Sequence, residues 1–251
     1  MEVLITICGR AGSKGAKNKN FRLFLGKPLI YYTIKSAKLL KKNSTDLKID
    51  ICVNSDNLIA KEIAEEEEVA FIERPSGLAM DKTPKVDAIR DVLIKMEKIK
   101  NKKYDYVIDL DITAPLRKIQ DIRNAFEKIV STGVDVVFSV VPARRNPYFN
   151  MVKAENGFAV KLISSNYTTR QEAPAVYDMN ASIYIIDADY LRNDTENMLL
   201  NAKSNIYRMF DTAVLDIDSE QDFEFMEIIA EYLYKKNESF AQIRKFVQEE
   251  Q

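Results

Sequence analysis

Near the start of the chain, Arg10, Lys14, Lys17 and Lys19 are interleaved with three glycines in the run Gly9-Arg10-Ala11-Gly12-Ser13-Lys14-Gly15-Ala16-Lys17-Asn18-Lys19-Asn20. Glycine lets a backbone approach a phosphate closely and aim N–H groups at it, while Lys and Arg offset the charge of a triphosphate. The glycines are spaced G-x-x-G-x-x-G, and Lys14 is followed by Gly15. The loop is therefore neither a dinucleotide fingerprint nor a Walker A loop, which needs Gly-Lys-Ser/Thr. Its plain alternative is a basic surface loop. A second kind of chemistry sits in two Asp-x-Asp pairs, Asp109/Asp111 and Asp216/Asp218. In a strand, residues i and i+2 point to one side, so Asp216 and Asp218 can face one ion while Leu215 and Ile217 face the core. Such oxygen ligands suit Mg2+, which keeps several waters and bridges substrate phosphates.

What the chain lacks narrows the chemistry further. It has no histidine. Ser–His and Cys–His nucleophile pairs, HExxH zinc sites and imidazole acid–base work are excluded. Carboxylates, Lys, Arg, Tyr, backbone dipoles or a hard metal ion must serve instead. Cys8 and Cys52 stand apart from any CxxC or metal spacing and read as buried thiols of a reducing compartment. A formal net charge of −1 argues against a nucleic-acid binder, which needs a basic face. No apolar run reaches the ~18 residues of a membrane span, and no signal peptide opens the sequence. The expected location is the cytoplasm.

The elements that must position these residues are legible as apolar periodicities. Val3–Cys8 reads as a buried strand, as do Ile49–Val53, Val69–Ile72, Tyr106–Leu110 and Val134–Val141. Helices fall between them: Pro28 to about Lys41, Leu58–Ala64, a third opened by Thr83-Pro84, and a fourth marked by Ile119, Ile122, Phe126 and Ile129. Thr83 is expected to cap the third. This alternation predicts an α/β fold, a mainly parallel sheet in a three-layer αβα sandwich, with ligands beyond the carboxyl ends of the strands. The rhythm breaks after Val141. Residues 142–180 contain Asn156-Gly157 between two strand-like runs, a hairpin signal. They read as an inserted β-rich arm, which leaves 1–141 and 181–251 as the core. Ser182–Ile186 returns to the sheet, and Phe223, Met226, Ala230 and Leu233 mark the last clear helix.

The basic loop resembles the (A/G)RxGSKGxxxKN signature of the CMP-sialic acid synthetases, the acylneuraminate cytidylyltransferases. Four further segments resemble that family's motifs in the right order across residues 1–222. Arg74-Pro75-Ser76-Gly77-Leu78-Ala79-Met80-Asp81 is similar to RPxxLAxD, and Thr113-Ala114-Pro115-Leu116-Arg117 to the second half of QPTSPLR. Asn180-Ala181-Ser182-Ile183-Tyr184 is similar to NGAIY, and Leu215-Asp216-Ile217-Asp218 to the family's metal motif. The resemblance implies a Rossmann-like nucleotidyltransferase core. It implies transfer of CMP from CTP to the anomeric hydroxyl of a nine-carbon acidic sugar, by direct attack on the α-phosphate, with release of pyrophosphate. Arg10, Lys14 and Lys19 then match phosphate-binding residues, Lys19 the catalytic lysine. Gly12, Ser13 and Asn20 complete the nucleotide loop, and Arg74 falls in the cytosine segment. Asp216 and Asp218 match the Mg2+ carboxylates, and Asn180 and Arg170 fall among the sugar contacts. A surface ion pair is the alternative for Arg170.

Departures from the pattern bear on the sugar. Asp111 replaces the family's glutamine. Related enzymes acting on Kdo carry a metal-ligating aspartate in this loop, so Asp111 is either a further Mg2+ ligand or a hydrogen-bonding contact to nucleotide or sugar. Asp109 then orients it or caps the next loop. The segments Arg145-Asn146-Pro147-Tyr148-Phe149-Asn150 and Tyr177-Asp178-Met179-Asn180 are similar to the branch that handles bacterial sugars such as legionaminic acid. In this family the arm exchanges between subunits, which implies a homodimer. The general base is left open among Asp111, Asp216 and a metal-bound hydroxide. The rival expectations are a Kdo or sugar-phosphate nucleotidylyltransferase and a non-catalytic CTP-binding protein.

Overall fold

The computed structural model describes residues 1–12, 16, 18–193, 199–213 and 216–249. Strand β1 (Glu2–Cys8) is followed by a short ribbon, β2 (Leu23–Phe24) and β3 (Lys27–Pro28), and by helix α1 (Leu29–Asn43). Then come β4 (Lys48–Ser55), α2 (Leu58–Glu66), β5 (Ala70–Glu73), α3 (Lys85–Lys100), β6 (Tyr106–Leu110), α4 (Ile119–Thr132) and β7 (Val136–Pro142). A hairpin of β8 (Val152–Glu155) and β9 (Phe158–Lys161) precedes β10 (Tyr177–Asp187), α5 (Ala188–Asn193), β11 (Ser204–Arg208), α6 (Glu220–Lys236) and α7 (Glu238–Glu249).

Seven strands form one sheet in the order β11-β7-β10-β6-β1-β4-β5. Neighbours are parallel except around β10, which runs antiparallel to both β6 and β7. Alternate residues of β1 serve opposite cores. Val3, Ile5 and Ile7 pack with residues of α1, α2, α4, α6 and α7, whereas Leu4 and Cys8 pack with those of α3 and α5. A strand covered on both faces reads as a continuous apolar run, which is why Val3–Cys8 was visible in the sequence. The chain leads from β1 out to β4 and β5, then returns to β6 on the other side of β1. Such a reversal opens a crevice beyond the strands' carboxyl ends.

Three local details differ from the sequence reading. Helix α3 begins at Lys85, after Pro84, and Thr83 does not cap it; the Thr83 hydroxyl donates instead to the Gly77 carbonyl at 3.1 Å. Strand β10 starts at Tyr177, ahead of the expected Ser182, with an irregularity between Met179 and Tyr184 where Ala181 takes φ 52°. Elements β11 and α7 were not anticipated.

Between β7 and β10 the chain leaves the sheet. Asn156 and Gly157 take φ values of 52° and 83° and turn β8 into β9. Positive φ at both central residues is the requirement of the type I′ hairpin turn, met by Asn-Gly.

Candidate active site

The carboxyl ends of β1, β5 and β6 border a cavity of about 420 Å3. Its basic lining comes from Arg10, Lys19, Arg74 and Lys85, and its acidic lining from Asp81, Asp111 and Asp218. Gly9 and Asn20 also line it. Gly9 is needed for space: a Cβ there would lie 2.6 Å from Ile112 Cδ1 and 3.1 Å from Asn20 Nδ2. Gly12 is needed for conformation, with φ 74°. Asn20 is buried and its Nδ2 donates to the Arg10 carbonyl at 3.2 Å, fixing the return of the basic loop. The Ala11 amide donates to Asp56 Oδ1 at 2.7 Å. Ser13 and Lys14 lie outside the described residues, as does Leu215.

Each cation of the site already has an anionic or carbonyl partner. Arg10 Nη1 donates to Asp81 and, at 3.4 Å, to the Ala79 carbonyl. Lys19 Nζ donates to the Ile217 carbonyl and, at 3.0 Å, to Asp218 Oδ1. Arg74 is buried, with Nε donating to Asn54 Oδ1 at 2.7 Å and Nη2 to the Asn54 carbonyl at 3.3 Å. Cys8 lines the same cavity, but burial pushes its thiol up to about 12, so it stays protonated and poorly nucleophilic.

The two Asp-x-Asp pairs differ. Asp109 is fully buried at the end of β6; its Oδ1 accepts from the Thr6 hydroxyl at 2.8 Å, and Thr6 is its register partner on β1. Asp111 Oδ1 accepts from the Thr113 amide and hydroxyl, both at 2.8 Å. The loop cap foreseen for Asp109 is thus made by Asp111. Lys85 Nζ sits 2.7 Å from Asp109 Oδ2 and 2.6 Å from Asp111 Oδ2. Despite burial, which acts against it, the Lys85 charge and the Thr113 bonds hold the Asp111 carboxyl down at about 2. Buried Arg117 secures the same loop from below: its Nη2 donates to the carbonyls of Asp111 and, at 2.6 Å, Ala114.

Asp216 and Asp218 are not on a strand; residues 216–218 form an irregular loop. Ile217 still faces the core, fully buried, and its amide donates to the Thr113 carbonyl at 3.0 Å. That bond ties the second acidic pair to the loop of the first. Burial, then the charges of Asp218 and Asp111, push the Asp216 carboxyl up, against the pull of Lys19. Among the described residues, no group of three or more His, Cys, Asp or Glu side chains could hold a metal ion. Two neighbouring carboxylates suit an ion that takes its other ligands from water and phosphate.

Two expected sugar contacts lie outside this cavity. Asn180 is buried in the sheet, its Oδ1 accepting from the Ser139 hydroxyl at 2.6 Å. Arg170 is exposed on the segment between β9 and β10, its Nη2 donating to the Arg144 carbonyl at 2.7 Å. Lys85 is the functional residue that motif reading missed. Its one local cue is weak: a lysine at the first position of a helix opposes the positive end of the helix dipole, but the carboxylates that hold it there are far away in sequence.

Comparison with known proteins follows the same lines. The family described as Cytidylyltransferase matches residues 4–251. The chain is 41% identical over 234 residues to CMP-N,N'-diacetyllegionaminic acid synthase of Campylobacter jejuni, covering 91% of this chain and 94% of that protein. It is 40% identical over 229 residues to post-translational flagellin modification protein B of Campylobacter coli, with the same coverage of 91% and 94%. A CMP:2-keto-3-deoxy-manno-octonic acid synthetase solved with CTP matches with a TM-score of 0.67 over 92% of this chain and 99% of that one. At 15% identity, that likeness is one of fold.

Proposed function

The chain belongs to the cytidylyltransferase family, and from that premise we propose that it transfers CMP from CTP to the anomeric hydroxyl of a nine-carbon, sialic acid-like sugar, releasing pyrophosphate. The observation that carries the reading is the convergence of Arg10, Lys19, Arg74 and Asp218 on one cavity beyond the carboxyl ends of the sheet. The sugar is of the legionaminic type, the class named by the relative from Campylobacter jejuni.

The paired charges suggest how the site works. Phosphate oxygens compete with Asp81 for Arg10 and with Asp218 for Lys19, so nucleotide binding exchanges internal ion pairs for contacts to CTP. Arg10 and Lys19, with Lys14 from the same loop, then offset charge that grows on the departing pyrophosphate. Arg74 reads the base from a guanidinium fixed by Asn54. Asp216 and Asp218 would hold a divalent cation, Mg2+ in this reading, and it would supply further charge neutralisation. No covalent intermediate with the protein is needed, in keeping with a chain that lacks histidine and whose cavity cysteine is protonated.

The reading extends to assembly. The β8–β9 hairpin leaves Val152 and Phe158 at 66% and 74% exposure, with Leu162 and Ile163 beside them. A second copy of the chain covers this apolar arm, forming a homodimer in which Arg170 reaches the partner's sugar. Among the described residues no helix is long and apolar enough to cross a membrane, and the proposed location is the cytoplasm.

Pyrophosphate release from CTP and Mg2+ tests the proposal, with N,N'-diacetyllegionaminic, N-acetylneuraminic, pseudaminic and Kdo sugars as acceptors. Release with a nine-carbon acid is expected. Release with Kdo alone, or none across the panel while CTP still binds, would overturn it.

A further inference from the structure

The position of Lys85 speaks to the choice left open for Asp111. Its ammonium lies in ion-pair contact with Asp109 Oδ2 at 2.7 Å and donates to Asp111 Oδ2 at 2.6 Å. These are the two carboxylates whose spacing could otherwise hold a metal ion. Asp109 is completely buried, and Thr6 is its other polar partner, a neutral hydroxyl. A buried carboxylate with no cation is costly, so the pair requires a positive charge. Helix α3 delivers one from its first residue, at the helix end that a cation otherwise avoids. The lysine is only half-buried and lines the nucleotide cavity, so its charge is also felt there.

We propose that Lys85 is the built-in counter-cation of the Asp109–Asp111 pair, occupying the place of a metal ion, so that Asp111 is a positioning residue for the 111–113 loop and not a metal ligand. The inference rests on the cytidylyltransferase reading, in which the divalent cation belongs to Asp216 and Asp218. It deepens that reading by limiting the chain's own metal ligands to one of its two acidic pairs. The remaining bonds of Asp111 fit this role. Its free carboxylate capacity is spent on the Thr113 amide and hydroxyl, and the Thr113 carbonyl in turn holds the Ile217 amide between the two metal-binding aspartates. Asp111 is therefore spent on holding its own loop and Lys85, with no oxygen turned to a metal ion.

The test is direct Mn2+ binding to the purified protein without nucleotide, read by the loss of the free-ion paramagnetic resonance signal. Lys85→Met is expected to gain about one equivalent of bound Mn2+ over the parent, and the double variant Lys85→Met/Asp111→Asn to lose it again. Asp111→Asn alone is expected to leave the parent's Mn2+ binding unchanged within about twofold. If Lys85→Met is not recovered folded, Lys85→Gln, which keeps a hydrogen-bond donor, carries the same comparison. No gain of Mn2+ in a folded Lys85 variant would overturn the proposal, as would loss of the parent's Mn2+ in Asp111→Asn. Because no turnover is measured, failure here is distinct from failure to transfer CMP. A merely structural role for Lys85 would lower the melting temperature and leave the Mn2+ count unmoved.

Discussion

The pairs Asp109/Asp111 and Asp216/Asp218 share one spacing, and each lends one residue, Asp111 and Asp218, to the lining of one cavity, yet their surroundings push them in opposite directions. The first pair lies at the end of a central strand and shares one internal cation, Lys85, which with the Thr113 bonds holds Asp111 down at about 2. The second lies on an irregular loop with Asp218 largely exposed, and Asp216 is pushed up by burial and by its acidic neighbours. A carboxylate held down by an internal cation is finished as a structural unit. A carboxylate pushed up by burial and like charges gains from any further cation brought near it. The same two-residue spacing therefore yields an anchor in one place and a candidate ion site in the other, and the difference is made by residues far away in sequence.

Substitutions sharpen the contrast. On the reactive side, Lys19→Ala is expected to lower kcat by about 10^2–10^3, the loss typical of a preorganised donor to developing charge. A raised KM with unchanged kcat would show that Lys19 merely binds CTP. Asp218→Asn comes next: the Mg2+ concentration for half-maximal rate should rise at least about 10–100-fold, the range known even for groups that only support metal ligands. An unaltered Mg2+ titration removes Asp218 from the ion site.

On the anchored side the expected effect is on stability. Asp111 titrates lower in the folded chain than in the unfolded one, so its contribution is present above the unfolded value and disappears as pH falls from about 4 to about 2. The shift corresponds to about 2 kcal/mol. Urea unfolding across that interval should show the wild-type protein losing about 2 kcal/mol more than Asp111→Asn. Equal slopes would contradict the anchor. The smallest effect concerns Ala181, whose φ of 52° falls where the resembling motif carries glycine. Ala181→Gly should stabilise by about 1 kcal/mol, a rise in Tm of about 2–4 °C. A lower Tm would mean that the backbone there is held at no cost.

Much of the fold could be read from sequence because its central strands are covered on both faces. Val3–Cys8 and Tyr106–Leu110 stand out as apolar runs broken only by Thr6 and Asp109, and helices α1, α3 and α4 carry their buried stripes plainly. Strand β11 did not stand out, since Ser204–Arg208 is an edge strand of half-buried and exposed residues with no apolar run. Helix α7 carries a stripe of Phe240, Ile243 and Val247, but it follows α6 after the single residue Asn237, which hid the boundary. The basic loop and Arg74 were legible as chemistry because their residue types are costly anywhere else. Lys85 was not, because its meaning depends on Asp109 and Asp111, which only the sheet brings to it. Extended geometry for Asp216–Asp218 was inferred from alternation alone, and the loop there follows other constraints, among them the bond from the Ile217 amide to the Thr113 carbonyl.

The most direct test of this division of labour is a crystal structure of the protein with CTP and Mn2+, examined for anomalous scattering. The account predicts a manganese peak beside Asp216 and Asp218, with the Lys85 ammonium still lodged between Asp109 and Asp111. A manganese ion between Asp109 and Asp111, with Lys85 displaced, would contradict it.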